Sequence, residues 1–134
     1  VLQNLGNTDI AFSPNLIVGN RLTFLPIKDF QISVLSKFVS EQYMGNIDSE
    51  QSKLDAYFVN DLNVNYEWTL NKAIKSIVFF VFVNNIFDLE YESNGYFYTY
   101  DDDWSNPGNV TTVEGTGYYP QAGINFLLGM SLKF

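Results

Sequence analysis

Apolar and polar residues alternate along most of this chain with a period of two, most cleanly between Ala122 and Phe134. The even positions there, Ile124, Phe126, Leu128, Met130, Leu132 and Phe134, are all large and apolar. The odd positions are Gly123, Asn125, Leu127, Gly129, Ser131 and Lys133. A period of two sends successive side chains to opposite faces of an extended backbone, so the segment predicts a β-strand with one dry face. Four earlier segments carry related patterns, and together they predict strands near 16–25, 30–43, 54–70, 76–90 and 119–134. In the first, Leu16, Val18, Leu22 and Phe24 share a face from which Arg21 is absent. In the second, Phe30, Ile32, Val34 and Phe38 oppose Gln31, Ser33 and Lys37. In the third, Leu54 to Leu70 puts Phe58, Leu62, Val64, Tyr66 and Trp68 on one side and Asp55, Asp61, Asn63, Asn65 and Glu67 on the other.

The fourth segment, Ile77 to Phe87, is apolar at nearly every position. Periodicity therefore does not choose its outer face; Ile77, Phe79, Val81 and Val83 are taken as the side that continues the dry face. The connections alternate in length. Pro26–Asp29 and Asn71–Lys75 are short, whereas Met44–Lys53 and Asp88–Gly117 are long and polar, and residues 1–13 read as an entry loop rich in turn formers. Short connections make neighbours antiparallel, so the expected fold is all-β, an antiparallel up-and-down meander of about five strands. Alternating tight turns and long loops characterise bacterial outer-membrane barrels, and strands of about 11 residues tilted near 45° match their lipid-facing band of about 25 Å. Alternation alone shows that one face is dry and leaves open what dries it. A soluble sandwich or small barrel that binds a sugar or lipid stands beside the membrane reading.

Composition narrows the field. Aromatic residues make up 17% of the chain and charged residues 16%, against about 25% charged in an ordinary soluble domain. A net charge of −8 with seven scattered basic residues argues against nucleic acid as a partner. With no cysteine and no histidine, there is no disulfide framework, no Cys or His metal site and no Ser/His or Cys/His catalytic pair. No catalytic residue, cofactor site or metal site is assigned, and the chain is not expected to be an enzyme. Neither a secretory signal nor an apolar run long enough for a spanning helix is visible, so any membrane crossing is by strands.

Two segments carry a resemblance. Val83-Asn84-Asn85-Ile86-Phe87-Asp88-Leu89-Glu90-Tyr91 resembles the penultimate-strand motif of TonB-dependent outer-membrane receptors. Tyr119-Pro120-Gln121-Ala122-Gly123, with Asn125-Phe126, Gly129 and Leu132-Lys133-Phe134, is similar to the closing strand of the same family, especially Bacteroidetes-type receptors. Ala11–Asn15 and Tyr57–Asp61 extend the likeness more weakly. The resemblance implies that residues 1–134 are the C-terminal portion of a longer receptor whose plug and TonB-contacting segment lie elsewhere, and that the chain is not transport-competent alone. It implies an outer-membrane location, with loops 44–53 and 89–118 extracellular and the C-terminus periplasmic. The implied substrate is a nutrient such as an iron chelate, cobalamin or a glycan. The implied partners are outer-membrane lipid, the rest of the barrel with its plug, TonB through the missing part, and the barrel assembly machinery through the last strand. Ile124, Phe126, Leu128, Met130, Leu132 and Phe134 then face lipid and serve assembly. The isolated fragment is expected to oligomerise, because five strands leave two open edges.

The most chemically loaded stretch is Tyr96-Phe97-Tyr98-Thr99-Tyr100-Asp101-Asp102-Asp103-Trp104. Tyr96, Tyr98, Tyr100 and Trp104 offer rings to a ligand, and Asp101, Asp102 and Asp103 offer carboxylates. Their spacing matches no calcium-binding loop, and adjacent aspartates are more often a solvated loop tip that discourages aggregation. Asn84 and Asn85 read as structural.

Overall fold

The structure, a computed structural model, describes residues 6–70 and 73–134. Parts of the predicted entry loop (1–5) and of the turn at 71–75 (71–72) lie outside the described residues. The fold is all-β. Among the described residues nine strands form in chain order: β1 (Ile17–Ile27), β2 (Phe30–Val39), β3 (Gln42–Tyr43), β4 (Lys53–Leu54), β5 (Tyr57–Thr69), β6 (Ser76–Asn84), β7 (Glu92–Asp102), β8 (Thr111–Pro120) and β9 (Asn125–Lys133). They make a five-stranded antiparallel meander, β1-β2-β5-β6-β9, and two two-stranded ladders, β3-β4 and β7-β8. The chain divides into two compact units. One comprises residues 17–38, 58–90 and 122–134, and the other residues 1–16, 39–57 and 91–121.

Register turns the separate alternations of the first unit into common faces. Leu62, Val64, Tyr66 and Trp68 of β5 pair with Val83, Val81, Phe79 and Ile77 of β6. Those four pair in turn with Phe126, Leu128, Met130 and Leu132 of β9. Residues paired across an antiparallel ladder share a face, so the outward set assigned to β6 is the one its neighbours impose. The Phe30 and Tyr66 rings meet edge-on at 6.2 Å, and Ser36 Oγ donates to Asn60 Oδ1 at 2.6 Å. Both contacts put the even side chains of β2 on that same face. Thr23 and Ser33 hydroxyls lie 3.0 Å apart, which puts the even side chains of β1 there too. Among the described strand residues no charged one occupies this face, whereas Arg21, Lys37, Asp61, Glu67 and Lys133 all stand on the other. The apolar face is uncovered: Leu22, Phe126 and Leu128 are 71%, 73% and 64% exposed.

Polar cross-strand contacts organise the second face. Glu67 Oε1 accepts from Ser76 Oγ at 2.6 Å and from Lys133 Nζ at 2.8 Å, joining β5, β6 and β9. Buried Ser33 gathers Arg21, Thr23 and Gln31 within 3.2 Å. Apolar residues also stand here, among them Ile17, Leu25, Val78, Phe80, Phe82 and Leu127. Phe80 lies opposite Gly129 in the β6–β9 register, and a Cβ at Gly129 would overlap its ring tip. The missing side chain is the space the ring fills.

Several predicted boundaries are corrected. Pro26 lies inside β1, and the turn is reduced to Lys28 and Asp29, with Asp29 in the left-handed region at φ 62°. A proline is tolerated there because β1 is an edge strand with no second ladder to supply. The predicted strand 30–43 ends at Val39, and Gln42–Tyr43 pairs separately with Lys53–Leu54. Leu54, expected on the dry face of the third strand, is instead buried at 1% exposure in the second unit. The predicted strand 76–90 stops at Asn84, because Asn85 and Asp88 adopt φ 51° and 52° and turn the chain. Tyr119, taken as the start of the closing strand, belongs to β8; the closing strand begins at Asn125. The predicted loop 89–118 is mostly the β7-β8 hairpin.

Substituting Gly129→Ala is expected to destabilise the folded chain by about 1–3 kcal/mol through overpacking against Phe80. The cost should shrink by at least about 0.5 kcal/mol in a Phe80→Ala background, as contacting residues couple. Denaturant unfolding in detergent of the two single variants and the double variant measures this coupling.

Candidate functional site

The tyrosine-rich stretch is placed by the second unit. Residues 94–102 of β7 pair with 119–111 of β8, so Asn94, Tyr96, Tyr98, Tyr100 and Asp102 form one row facing Tyr119, Gly117, Gly115, Val113 and Thr111. The opposite row, Gly95, Phe97, Thr99 and Asp101, pairs with Tyr118, Thr116, Glu114 and Thr112. Part of this opposite row packs inside the unit, while Thr99, Asp101, Thr112 and Tyr118 are exposed. Phe97 lies over Gly45, Met44 Sδ lies at Gly95, and Ser49 Oγ donates to Glu114 Oε2 at 2.5 Å. Ser52, Leu54 and Met44 are buried beneath, and Tyr118 Oη donates to Gln51 O at 3.4 Å. With one side of the hairpin used for packing, the tyrosine row is left outward.

The rings form a ladder. Tyr96 and Tyr98 stand 6.4 Å apart with planes 16° from parallel, Tyr98 and Tyr100 6.4 Å apart at 14°, and Tyr119 joins Tyr96 at 6.1 Å. Tyr96 and Tyr98 lean across the ladder onto Gly117 and Gly115, where a Cβ would collide with either ring. The glycines thus provide the floor on which the rings rest, and the rings remain about half exposed.

The three aspartates do not converge. Asp101 accepts from Thr112 Oγ1 at 2.8 Å on the opposite face of β7. Asp102 Oδ1 accepts from the Trp104 and Ser105 amides at 3.1 Å each, closing the hairpin tip. Hydrogen bonding from Ser105 and the Trp104 amide holds the Asp102 carboxyl below the ordinary carboxylate value. Asp103 and Trp104 are exposed at the tip. No group of three acidic side chains arranged to hold a metal ion occurs among the described residues. The six lipid-facing candidates fall outside this unit: Phe126, Leu128, Met130 and Leu132 line the apolar face of β9, and Ile124 and Phe134 flank it.

A second cluster, whose partners sequence spacing did not disclose, lies where β6 ends and β9 begins. Asn85 is 3% exposed. Its Nδ2 donates to Leu89 O at 2.9 Å and Ala122 O at 3.3 Å, its Oδ1 accepts from Leu89 N at 2.9 Å, and its amide donates to Asp61 Oδ1 at 2.9 Å. Asp88 Oδ1 accepts from Ile124 N at 2.7 Å and lies where a Cβ of Gly123 would stand. Asn84 Nδ2 donates to Asn125 Oδ1 at 2.8 Å. The Asn-Asn-Ile-Phe-Asp run and the Ala-Gly pair, 37 residues apart by the Asn85 to Ala122 bond, are therefore two halves of one lock. Their signal in the sequence is that Asn and Asp tolerate left-handed backbone and bond locally.

No protein-family model, curated protein or solved structure matches the chain.

Asn85→Ala is expected to cost about 2–3 kcal/mol, since it strips three bonds from part-buried positions on the Leu89 and Ala122 backbone and leaves alanine in the left-handed region. Asn84→Ala, whose bond is exposed, should cost well under half of that; denaturant titration of both variants makes the comparison. Acidification tests the hairpin tip. A carboxyl held below its ordinary 3.8 in the folded chain contributes stability above that value and loses it as pH falls through the folded pKa. Amide exchange at Trp104 and Ser105 should therefore accelerate relative to strand amides below about pH 3.8, after correction for the intrinsic pH dependence.

Proposed function

We propose that this chain supplies C-terminal strands of the barrel of a TonB-dependent outer-membrane receptor that imports a nutrient such as an iron chelate, cobalamin or a glycan. The observation that carries this reading is the segregation of charge. Across all five strands of the meander one continuous face holds no charged residue, and every charged strand residue stands on the other. A face so large, apolar and uncovered suits lipid, because water exacts a penalty for each exposed apolar patch. β5, with 13 residues, spans about 30 Å along a path tilted near 45°, enough to cross the lipid-facing band.

Two further features support it. The paired motifs that resemble this family meet in space as one lock between β6 and β9. The aromatics Phe30, Tyr66 and Trp68 gather toward the short-turn ends of β2 and β5, where an interfacial girdle would lie. In this reading loops 44–53 and 89–118 face the outside, the mixed face of the sheet lines the lumen, and the remaining strands, plug and TonB-contacting segment come from the rest of the receptor. The chain by itself does not transport.

Two outcomes test it. In the intact receptor, Val81→Lys on the apolar face should cost about 2–4 kcal/mol of barrel stability and reduce outer-membrane insertion, whereas Asn65→Lys on the mixed face should insert normally. The isolated chain should be monodisperse only in detergent. Equal tolerance of both lysines, or a monodisperse monomer in plain buffer by sedimentation, contradicts the lipid-facing assignment and favours a soluble sugar- or lipid-binding module.

A further inference from the structure

Charge is divided between the two units as unevenly as apolarity is divided between the sheet faces. The hairpin unit contains ten of the fifteen acidic residues and one of the seven basic ones, a net of −9; the sheet unit, with five acidic and six basic, is near neutral. The hairpin unit's one basic residue, Lys53, has its Nζ 2.9 Å from a Glu41 carboxylate oxygen. On this acidic body lies the uncovered tyrosine ladder, and Asp102 continues the same row beyond Tyr100.

We propose that the Tyr96–Tyr98–Tyr100–Asp102 row is a docking surface for an extended basic peptide that lays alternate Lys or Arg side chains along the rings. Three properties fit that occupant. The rings repeat at 6.4 Å, close to the roughly 6.6 Å at which an extended peptide repeats side chains on one side. Tyrosine rings attract ammonium and guanidinium groups through their quadrupole, worth about 0.5–1 kcal/mol each at exposed sites. The surplus negative charge steers cations toward the unit and repels anions. An acidic ligand is disfavoured, and a neutral sugar chain gains nothing from the charge. Asp102 supplies the carboxylate at the end of the row, and on the hairpin's other face Gly95, Phe97 and Glu114 are engaged within the unit, which holds the ladder before binding. The row belongs to the hairpin unit alone, and its docking role does not depend on whether the sheet spans a membrane.

The test uses the full chain in a non-ionic detergent and a fluorescent octapeptide of alternating Lys and Ser, followed by anisotropy. Binding should weaken as salt rises from about 0.05 M to about 0.5 M, and the same peptide with Glu in place of Lys should not bind. Tyr98→Leu with Tyr100→Leu should weaken the basic peptide on the order of tenfold, whereas the Phe pair at those positions should retain it. Asp102→Asn, which keeps the oxygen that accepts from the tip amides, should weaken it several-fold and remains informative if the Leu pair fails to fold. The proposal is overturned if the Lys peptide does not bind, if Asp102→Asn leaves its affinity unchanged, or if the folded Leu pair binds it like the parent. Tighter, salt-independent binding of a neutral linear glucan of six sugars also overturns it, and assigns the ladder to sugar stacking.

Discussion

Antiparallel register is the constraint on which the sheet unit depends. A strand whose side chains repeat every two residues changes both its faces when it slips by one. In β6, apolar on both sides from Ile77 to Val83, hydrophobic period alone does not oppose that slip. Its neighbours do: Asn63, Asn65 and Glu67 of β5 and Asn125, Ser131 and Lys133 of β9 fix which of its side chains share a face with charge. Glu67, bonded at once to Ser76 and Lys133, pins the three strands at one end. Asn85 and Asp88, bonded to Ala122 and Ile124, pin β6 and β9 at the other. Between those pins the apolar face follows without further instruction.

The strands legible in the sequence are those whose two faces differ in polarity. Alternation over the predicted 16–25, 30–43, 54–70 and 119–134 locates β1, β2, β5 and β9, with ends that miss by up to six residues. Strand ends are less legible, because they depend on left-handed residues such as Asp29, Asn85 and Asp88 and not on hydrophobic period. The hairpin β7-β8 reads as loop because its alternation is one of size: Tyr96, Tyr98 and Tyr100 face Gly117, Gly115 and Val113. A Tyr-x-Tyr-x-Tyr run followed by Gly-x-Gly is the signal of such a ring-over-glycine ladder. Leu54 is ambiguous in sequence because a buried leucine fits either the dry face of a strand or a small local core. Only the pairing of Lys53–Leu54 with Gln42–Tyr43 distinguishes them.

The candidate site is legible in composition and hidden in arrangement. The aromatics and aspartates of residues 96–104 stand out at once, yet the three carboxylates part in the fold. Asp101 goes to one face of β7 and Asp102 to the other, because adjacent residues of a strand must. That separation removes a cation cage and leaves a row of rings ended by one carboxylate. In the proposed receptor the near-neutral sheet and the acidic hairpin unit divide the labour: one presents an apolar face to lipid, the other a charged, aromatic surface to water.

Because the chain has no cysteine of its own, single cysteines can be placed one at a time along β5 and β9 in the proposed receptor in membranes, with any cysteines outside this chain replaced. Labelled with an environment-sensitive fluorophore, each site can be probed with a lipid-dissolved quencher and with a water-soluble one. If the apolar face meets the bilayer, quenching alternates strictly, with positions 62, 64, 66, 126, 128 and 130 quenched from lipid and positions 63, 65, 127 and 131 inaccessible to it. Equal lipid quenching at odd and even positions, or the opposite phase, would contradict a bilayer-facing role for this side of the sheet.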